Sequence, residues 1–103
     1  MSLDFRTYCI IGDPVDHSLS PGIHNAAFYS LGLNCSYIAF RVQEEQLKTS
    51  LDSLRAINIG GFNVTMPHKI RILEYADKYD KTVELVGAAN TVNNEGGKFC
   101  AYN

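Results

Sequence analysis

The sequence predicts a layered α/β/α domain with a mostly parallel sheet and a C-terminal β-hairpin at or near the sheet edge. Short apolar runs of strand length alternate with segments whose apolar residues recur at helical spacing. Such alternation is typical of parallel strands joined by right-handed helical crossovers. A length of 103 residues, with 46% hydrophobic and 19% charged residues, indicates one globular domain spanning residues 1–103.

The first strand and the first helix are marked by glycine and proline. Residues 8–12 form an apolar run that ends in glycine, which is typical of a buried strand. Ser20 and Pro21 predict the N-cap and the first turn of a helix that stops near Gly32. The predicted apolar face of this helix consists of Ile23, Ala27 and Leu31.

The middle of the chain repeats this order. A second strand is predicted at residues 36–42, and a second helix follows at residues 43–57. The apolar residues that recur at helical spacing there are Leu47, Leu51 and Leu54. A third strand-like run, opened by a glycine pair, covers residues 58–64.

The last elements are shorter. A third helix is expected to begin near Pro67, and Asp80 is placed to cap a further short helix that ends at Gly87. The apolar side of the third helix would consist of Ile70 and Leu73. Strands at residues 88–93 and 98–102, joined by an Asn-Glu-Gly-Gly turn, predict the hairpin.

Composition excludes several classes of function. A net charge of −2 and an isoelectric point near 5.8 argue against a nucleic-acid or anionic-membrane partner, and no apolar run reaches membrane-spanning length. Residues 1–6 lack the basic start and apolar stretch of a signal peptide. Three widely spaced cysteines, Cys9, Cys35 and Cys100, form no disulfide framework or zinc pattern. We therefore expect a cytoplasmic protein.

Small polar residues follow the predicted strands, at the edge where open α/β sheets bind ligands. Most are neutral groups with short side chains, which suit a small polyhydroxylated ligand. They are Ser18 and Ser20 after the first strand, Asn63, Thr65 and Lys69 after the third, and Asn90 near the start of the hairpin.

Three of these residues have alternative interpretations. Ser18 and Ser20 flank a helix start whose free N–H groups could hold a carboxylate, but Ser20 could also be only an N-cap and Ser18 only a loop hydroxyl. Lys69 could be an ordinary solvated lysine at a helix start, or a cleft lysine that moves a proton.

Metal and nucleotide sites are not predicted. His17, His24 and His68 lack the spacing and the nearby carboxylates of a metal site. Neither GxGxxG nor GxxxxGK[ST] occurs, so no cofactor is expected to bind this chain alone.

Three motifs resemble those of the shikimate dehydrogenase family. They are residues 12–21 followed by His24 and Asn25, residues 61–69, and residues 87–91. Their order and spacing match the family, and together they span nearly the whole chain. The chain is thus similar to the N-terminal, substrate-binding domain of such enzymes.

This resemblance implies a reaction and a set of site residues. Shikimate dehydrogenases interconvert 3-dehydroshikimate and shikimate with NADP(H), on the route to chorismate and the aromatic amino acids. Ser18 and Ser20 would bind the substrate carboxylate. The ring hydroxyls would be bound by Asn63, Thr65, Lys69 and Asn90. Lys69 would also be the catalytic residue, beside an aspartate.

The chain departs from the family pattern at its end. Asn103 is the first residue of the family's Asn-Thr-Asp-Gly motif, so the partner aspartate and the NADP-binding Rossmann-type domain are absent. We expect a truncated enzyme without turnover of its own. Alternatives are a stand-alone binding module for a cyclic hydroxy-acid, a quinate/shikimate dehydrogenase, or part of a bifunctional fusion with dehydroquinate dehydratase. A homodimer also stays open.

Overall fold

A computed structural model describes residues 5–103, so the start of the segment tested for a signal peptide lies outside the described residues. Within this range the chain forms six strands and three α-helices. The strands are β1 (Arg6–Gly12), β2 (Cys35–Arg41), β3 (Gly61–Val64), β4 (Lys78–Tyr79), β5 (Thr91–Glu95) and β6 (Lys98–Tyr102). The helices are α1 (Ser20–Ser30), α2 (Leu47–Ala56) and α3 (Lys81–Val86), with 3₁₀ turns at Glu44–Gln46 and Arg71–Glu74.

The strands form one sheet in the order β2-β1-β3-β5-β6-β4. β1 pairs in parallel with β2 and β3, and β4 pairs in parallel with β6. β5 is antiparallel to both β3 and β6, which confirms the predicted C-terminal hairpin. The hairpin lies one strand in from the edge, because the two-residue β4, which the sequence did not predict, pairs outside β6.

Alternate residues of β1 face two different helical layers. Cys9 and Ile11 lie in the main core, whereas the ring of Tyr8 contacts Phe28 of α1 at a centroid distance of 5.9 Å. Because successive strand side chains point to opposite faces, α1 covers one face of the sheet. The buried residues of α2 and α3 lie in the main core on the other face, which confirms the layered α/β/α prediction; they are Leu47, Leu51, Leu54 and Val83.

The main core joins α2, α3 and the sheet into one apolar cluster. Its aromatic centre is Phe62 against Phe99, edge to face with centroids 5.3 Å apart. The Arg55 guanidinium lies 4.1 Å above the Phe99 ring, and Asp77 accepts a hydrogen bond from the Phe99 N–H at 2.8 Å. These contacts tie β6 to the end of α2.

α2 follows the sequence prediction closely. Leu47, Leu51 and Leu54 are all buried, as their spacing predicted. The preceding 3₁₀ turn carries a capping box in which Gln46 accepts a hydrogen bond from the Gln43 N–H at 3.4 Å. The predicted range of 43–57 therefore contains two helical pieces in sequence.

α1 has the predicted length, but its predicted cap and face are wrong. Leu19 occupies the N-cap position, and Ser20 is the first helical residue. Ile23 and Leu31 are 64% and 71% exposed, and none of the residues of α1 is buried. His24 and Phe28, four residues apart, face the sheet instead. The face predicted from apolar residues was wrong because the face of α1 that contacts the sheet carries a histidine.

The third helix predicted near Pro67 does not form. Residues 65–70 make a turn in which the His68 N–H donates to the Thr65 carbonyl at 3.0 Å, and only a 3₁₀ turn follows. Ile70 is exposed, whereas Ile72 is buried and Leu73 packs partly against the core. Proline disfavours the helical backbone conformation in the residue that precedes it, which is Met66 here, so the chain leaves β3 as a turn.

Gly12, at the end of β1, allows this turn to pack closely. A Cβ atom there would lie 2.2 Å from Thr65 Cγ2 and 3.0 Å from the Met66 carbonyl oxygen. We expect Gly12→Ala to lower the free energy of unfolding by about 1–3 kcal/mol through overpacking. Urea denaturation followed by circular dichroism would measure this change in the free energy of unfolding.

Gly22 is the matched control for that substitution. It lies within α1, and an added Cβ would meet no atom within 4 Å. Gly22→Ala should therefore raise stability by up to about 1 kcal/mol, since alanine favours the helix. Equal effects of the two substitutions would contradict the packing argument.

Candidate functional site

The ends of three strands meet at one edge of the sheet. Ile11 pairs with Val64 near the ends of the parallel strands β1 and β3. Asn63 pairs with Thr91, the first residue of the antiparallel β5. The connection after β1, the turn after β3 and the entry to β5 therefore lie together. The predicted site residues lie on these segments or directly beside them, and together they are called the polar edge. They are Ser18, Ser20, Asn63, Thr65, Lys69 and Asn90.

Asn63 is held at both ends of its side-chain amide. Its Oδ1 accepts a hydrogen bond from the Tyr37 hydroxyl at 2.6 Å. Its Nδ2 donates to the Asn90 carbonyl at 3.3 Å and to Thr91 Oγ1 at 3.2 Å. The amide thus links β2, β3 and the start of β5 across the polar edge.

Asn90 is fixed by its backbone and its side chain. Its carbonyl accepts the Val64 N–H at 2.9 Å, and its Oδ1 accepts the Thr91 hydroxyl at 2.9 Å. Its Nδ2 donates to Asn103 Oδ1 at 3.4 Å, and Asn103 in turn donates to the Ala88 carbonyl at 2.9 Å. The predicted ligand residue is therefore oriented by its neighbours.

Tyr37 is a functional candidate that the sequence did not predict. Its ring stacks on His24 with centroids 4.4 Å apart, and Asn25 bonds its backbone N–H and carbonyl, each at 2.8 Å. Burial, with a smaller contribution from the Cys9 thiol, raises the pKa of Tyr37 to about 12, although a hydrogen bond from Ser20 opposes this. Tyr37 is therefore a neutral hydrogen-bond donor at physiological pH.

The two serines differ in their contacts. Ser18 Oγ accepts the Ser20 N–H at 3.2 Å, so Ser18 provides the hydrogen bond at the start of α1 that was predicted for Ser20. Ser20 is partly buried at the start of α1. Ser18 and Thr65 line a cleft of about 240 Å³ beside His17, and Asn63 lines a second cleft of about 340 Å³.

Lys69 has a fixed backbone and an unpaired ammonium. Its carbonyl accepts the Ala89 N–H at 2.9 Å, which ties the turn after β3 to the segment before β5. Within residues 5–103 no hydrogen bond or ion pair engages its Nζ. The side chain is half-buried. A half-buried lysine without an internal partner is available to a ligand.

His68 anchors the turn that carries Lys69. Its side chain is fully buried, and its Nε2 lies 2.5 Å from the Val42 carbonyl oxygen, which assigns the ring proton to Nε2. Its Nδ1 has no hydrogen-bond partner in the described part of the chain. In the sequence, His68 stands out only as a possible metal ligand. Its buried contact depends on long-range packing.

The described residues do not fit a metal ion or a dinucleotide. No group of three or more metal-ligating side chains occurs among residues 5–103. The connection from β1 to α1 carries Asp13 and Asp16, whose carboxylates would repel a pyrophosphate, and Asp13 pairs with Arg41 at 2.8 Å. NADP(H) therefore has no phosphate cradle on this part of the chain. No helix among these residues is long and apolar enough to cross a membrane.

Known proteins of one family share this sequence and fold. The profile of the shikimate dehydrogenase substrate binding domain matches residues 10–92. A shikimate dehydrogenase (NADP(+)) of Nitrosopumilus maritimus is 51% identical over 98 residues, which cover 95% of this chain and 36% of that protein. The chain thus spans about a third of the length of the curated relatives it matches.

Solved structures agree with the sequence comparison. The shikimate dehydrogenase of Aquifex aeolicus superposes with a TM-score of 0.94 at 40% identity, covering all of this chain and 39% of that one. The shikimate 5-dehydrogenase of Listeria monocytogenes, solved with shikimate and NAD, gives a TM-score of 0.93 at 42% identity, covering 99% of this chain and 35% of that one. The chain belongs to the shikimate dehydrogenase family and corresponds to its N-terminal substrate-binding domain.

Proposed function

We propose that this chain, as one domain over residues 1–103, is the substrate-binding part of an NADP-dependent enzyme that reversibly reduces 3-dehydroshikimate to shikimate. One observation carries the proposal: Lys69, whose ammonium has no partner among residues 5–103, lies at the same sheet edge as Asn63 and Asn90. The shikimate present in the Listeria monocytogenes structure supports the choice of substrate.

The serines suit the substrate carboxylate. Ser18 and Ser20 stand at the start of α1, where a free N–H group and two hydroxyls can bind an anion without a cation. The neutral groups of Asn63, Thr65 and Asn90 suit ring hydroxyls, since each can donate or accept. Residues on opposite sides of the polar edge would thus bind the substrate carboxylate and the ring hydroxyls.

Lys69 would hold and move the proton at the reacting oxygen. Its ammonium can donate a proton to the carbonyl oxygen of the ketone, and its neutral amine can take the proton back from the alcohol. The positive charge also stabilises negative charge that develops on that oxygen. NADP(H) supplies the hydride when bound, but residues 5–103 lack a cradle for it. We therefore propose that the 103-residue polypeptide alone does not consume NADPH.

Binding experiments distinguish the proposal from two alternatives, one with a different ligand and one with a role that involves no catalysis. Quinate, with one more hydroxyl, would contact the same polar edge, whereas a binding module would hold the ligand without any turnover. We expect shikimate at high concentration to shift the backbone amide signals of Asn63, Thr65 and Asn90 in the ¹⁵N-labelled chain. Lys81 and Leu85, exposed on α3, provide control signals.

The titration has clear outcomes. Saturable shifts confined to the polar edge would support the site. Stronger binding of quinate than of shikimate would identify quinate as the substrate instead. An absence of shifts with either ligand would contradict the proposed function. Steady NADPH consumption with 3-dehydroshikimate by the 103-residue chain would contradict the proposed lack of turnover.

A further inference from the structure

A directed series of hydrogen bonds crosses the polar edge. The Tyr37 hydroxyl donates to Asn63 Oδ1 at 2.6 Å. Asn63 Nδ2 donates to Thr91 Oγ1 at 3.2 Å, and the Thr91 hydroxyl donates to Asn90 Oδ1 at 2.9 Å. Two proposed ligand residues, Asn63 and Asn90, are therefore joined through Thr91, and Tyr37 holds the first of them. Neither Tyr37 nor Thr91 has an assigned role.

Tyr37 is the most constrained member of this series. Its phenol has one proton, and Asn63 Oδ1 accepts it. The side chain is 4% exposed, stacks on His24, and is fixed through its backbone by both ends of the Asn25 amide. The position of the hydroxyl is thus set by the fold and not by a ligand.

Two neighbours fix the Asn63 amide. A flipped amide would turn its oxygen toward the Asn90 carbonyl, and this contact would be repulsive because it places acceptor against acceptor. In the orientation that the Asn90 carbonyl sets, the Tyr37 hydroxyl donates to one lone pair of Oδ1 and holds that oxygen in place. The second lone pair of Oδ1 remains for a ligand.

We propose that Tyr37 is a positioning residue of the substrate site, which aligns Asn63 for the ring hydroxyls. The inference rests on the proposed function, because it assumes that Asn63 binds shikimate. It assigns Tyr37 no contact with the reacting atoms. The residue acts through its hydrogen bond to Asn63.

The test is Tyr37→Phe in the 103-residue chain. Phenylalanine keeps the ring on His24 and the backbone contacts of Asn25, and it removes only the hydroxyl. We expect the Kd for shikimate, measured by NMR titration, to rise about tenfold, which is the scale of one lost hydrogen bond. Tyr29→Phe, at an exposed position on α1, is the matched control and should leave Kd unchanged.

A double-mutant cycle separates positioning from a general structural effect. If Tyr37 acts on the ring hydroxyls through Asn63, Tyr37→Phe should weaken binding less in an Asn63→Ala background than in the wild-type chain. In the ligand-free chain, Tyr37→Phe should also move the side-chain amide signals of Asn63. Losses that add fully, or Asn63 amide signals that stay in place, would overturn the inference.

The failure of each proposal gives a different result. If the wild-type chain does not bind shikimate, the proposed function fails and the role of Tyr37 falls with it. If the wild-type chain binds shikimate and Tyr37→Phe binds equally well, only the positioning role is overturned.

Discussion

Lys69→Ala is expected to lower kcat by about 10²–10⁴-fold while KM changes far less. The reason is that the ammonium would act mainly on charge and a proton that appear in the transition state. Its backbone is fixed through Ala89, so removal of the side chain should leave the turn after β3 in place. The substitution therefore tests the chemistry of Lys69 more than the fold.

The assay needs a polypeptide that can bind NADP(H). We would join this chain to the remaining part of the Aquifex aeolicus enzyme, which has the same fold over the matched region. Turnover of 3-dehydroshikimate by the unsubstituted chimera must be shown first, so that a failed assembly is not taken for a catalytic effect. NADPH oxidation then gives kcat and KM for each variant.

Two further lysine variants sharpen the result. Lys69→Arg keeps a positive charge but cannot give up its proton near neutral pH, so we expect a low kcat with substrate binding largely kept. Lys81→Ala, at an exposed position that begins α3, should change neither constant. A rise in KM with unchanged kcat for Lys69→Ala would reduce Lys69 to a binding residue.

Phe99→Ala is expected to have the largest effect on stability, a loss of about 3–5 kcal/mol in the free energy of unfolding. The side chain is 1% exposed, meets Phe62 edge to face, and lies under the Arg55 guanidinium. Its removal would leave a cavity and end both ring contacts. Urea denaturation of the 103-residue chain would measure the change.

Small domains are stable by only about 5–15 kcal/mol, so Phe99→Ala could leave the chain largely unfolded. Phe99→Leu keeps most of the buried volume and should cause a smaller loss that can be measured. Leu85→Ala, at an exposed position on α3, should stay within about 0.5 kcal/mol of the wild-type chain. A similar small loss for Phe99→Leu, Phe99→Ala and Leu85→Ala would contradict the place of Phe99 in the core.

The fold was predictable where burial follows a simple apolar period. Uniform apolar runs marked β1 and β2, and the leucines of α2 gave its buried face. α1 was harder, because its inner face carries His24 and Phe28 while exposed apolar residues lie beside it. A two-residue strand such as β4 has no sequence period to detect.

The candidate site was predictable in its position but not in its connections. Strand ends in an open sheet gather polar residues, and the motifs located the six proposed ligand residues. The Tyr37 hydroxyl reaches Asn63 across β1, a contact between residues 26 positions apart that no local pattern encodes. The substrate roles, a homodimer and a cytoplasmic location all stay predictions.

The conformational entropy that would be lost on ligand binding differs among the residues of the proposed site, because the hydrogen-bond series restrains only some of them. Asn63 and Asn90 are already restrained by neighbours, so they would lose little rotamer freedom when a ligand arrives. The Lys69 side chain has no such restraint within residues 5–103, and ordering a lysine costs about 1.5–2 kcal/mol. The restrained amides would therefore supply most of the affinity, while Lys69 would gain its ordered position from binding energy generated elsewhere in the site.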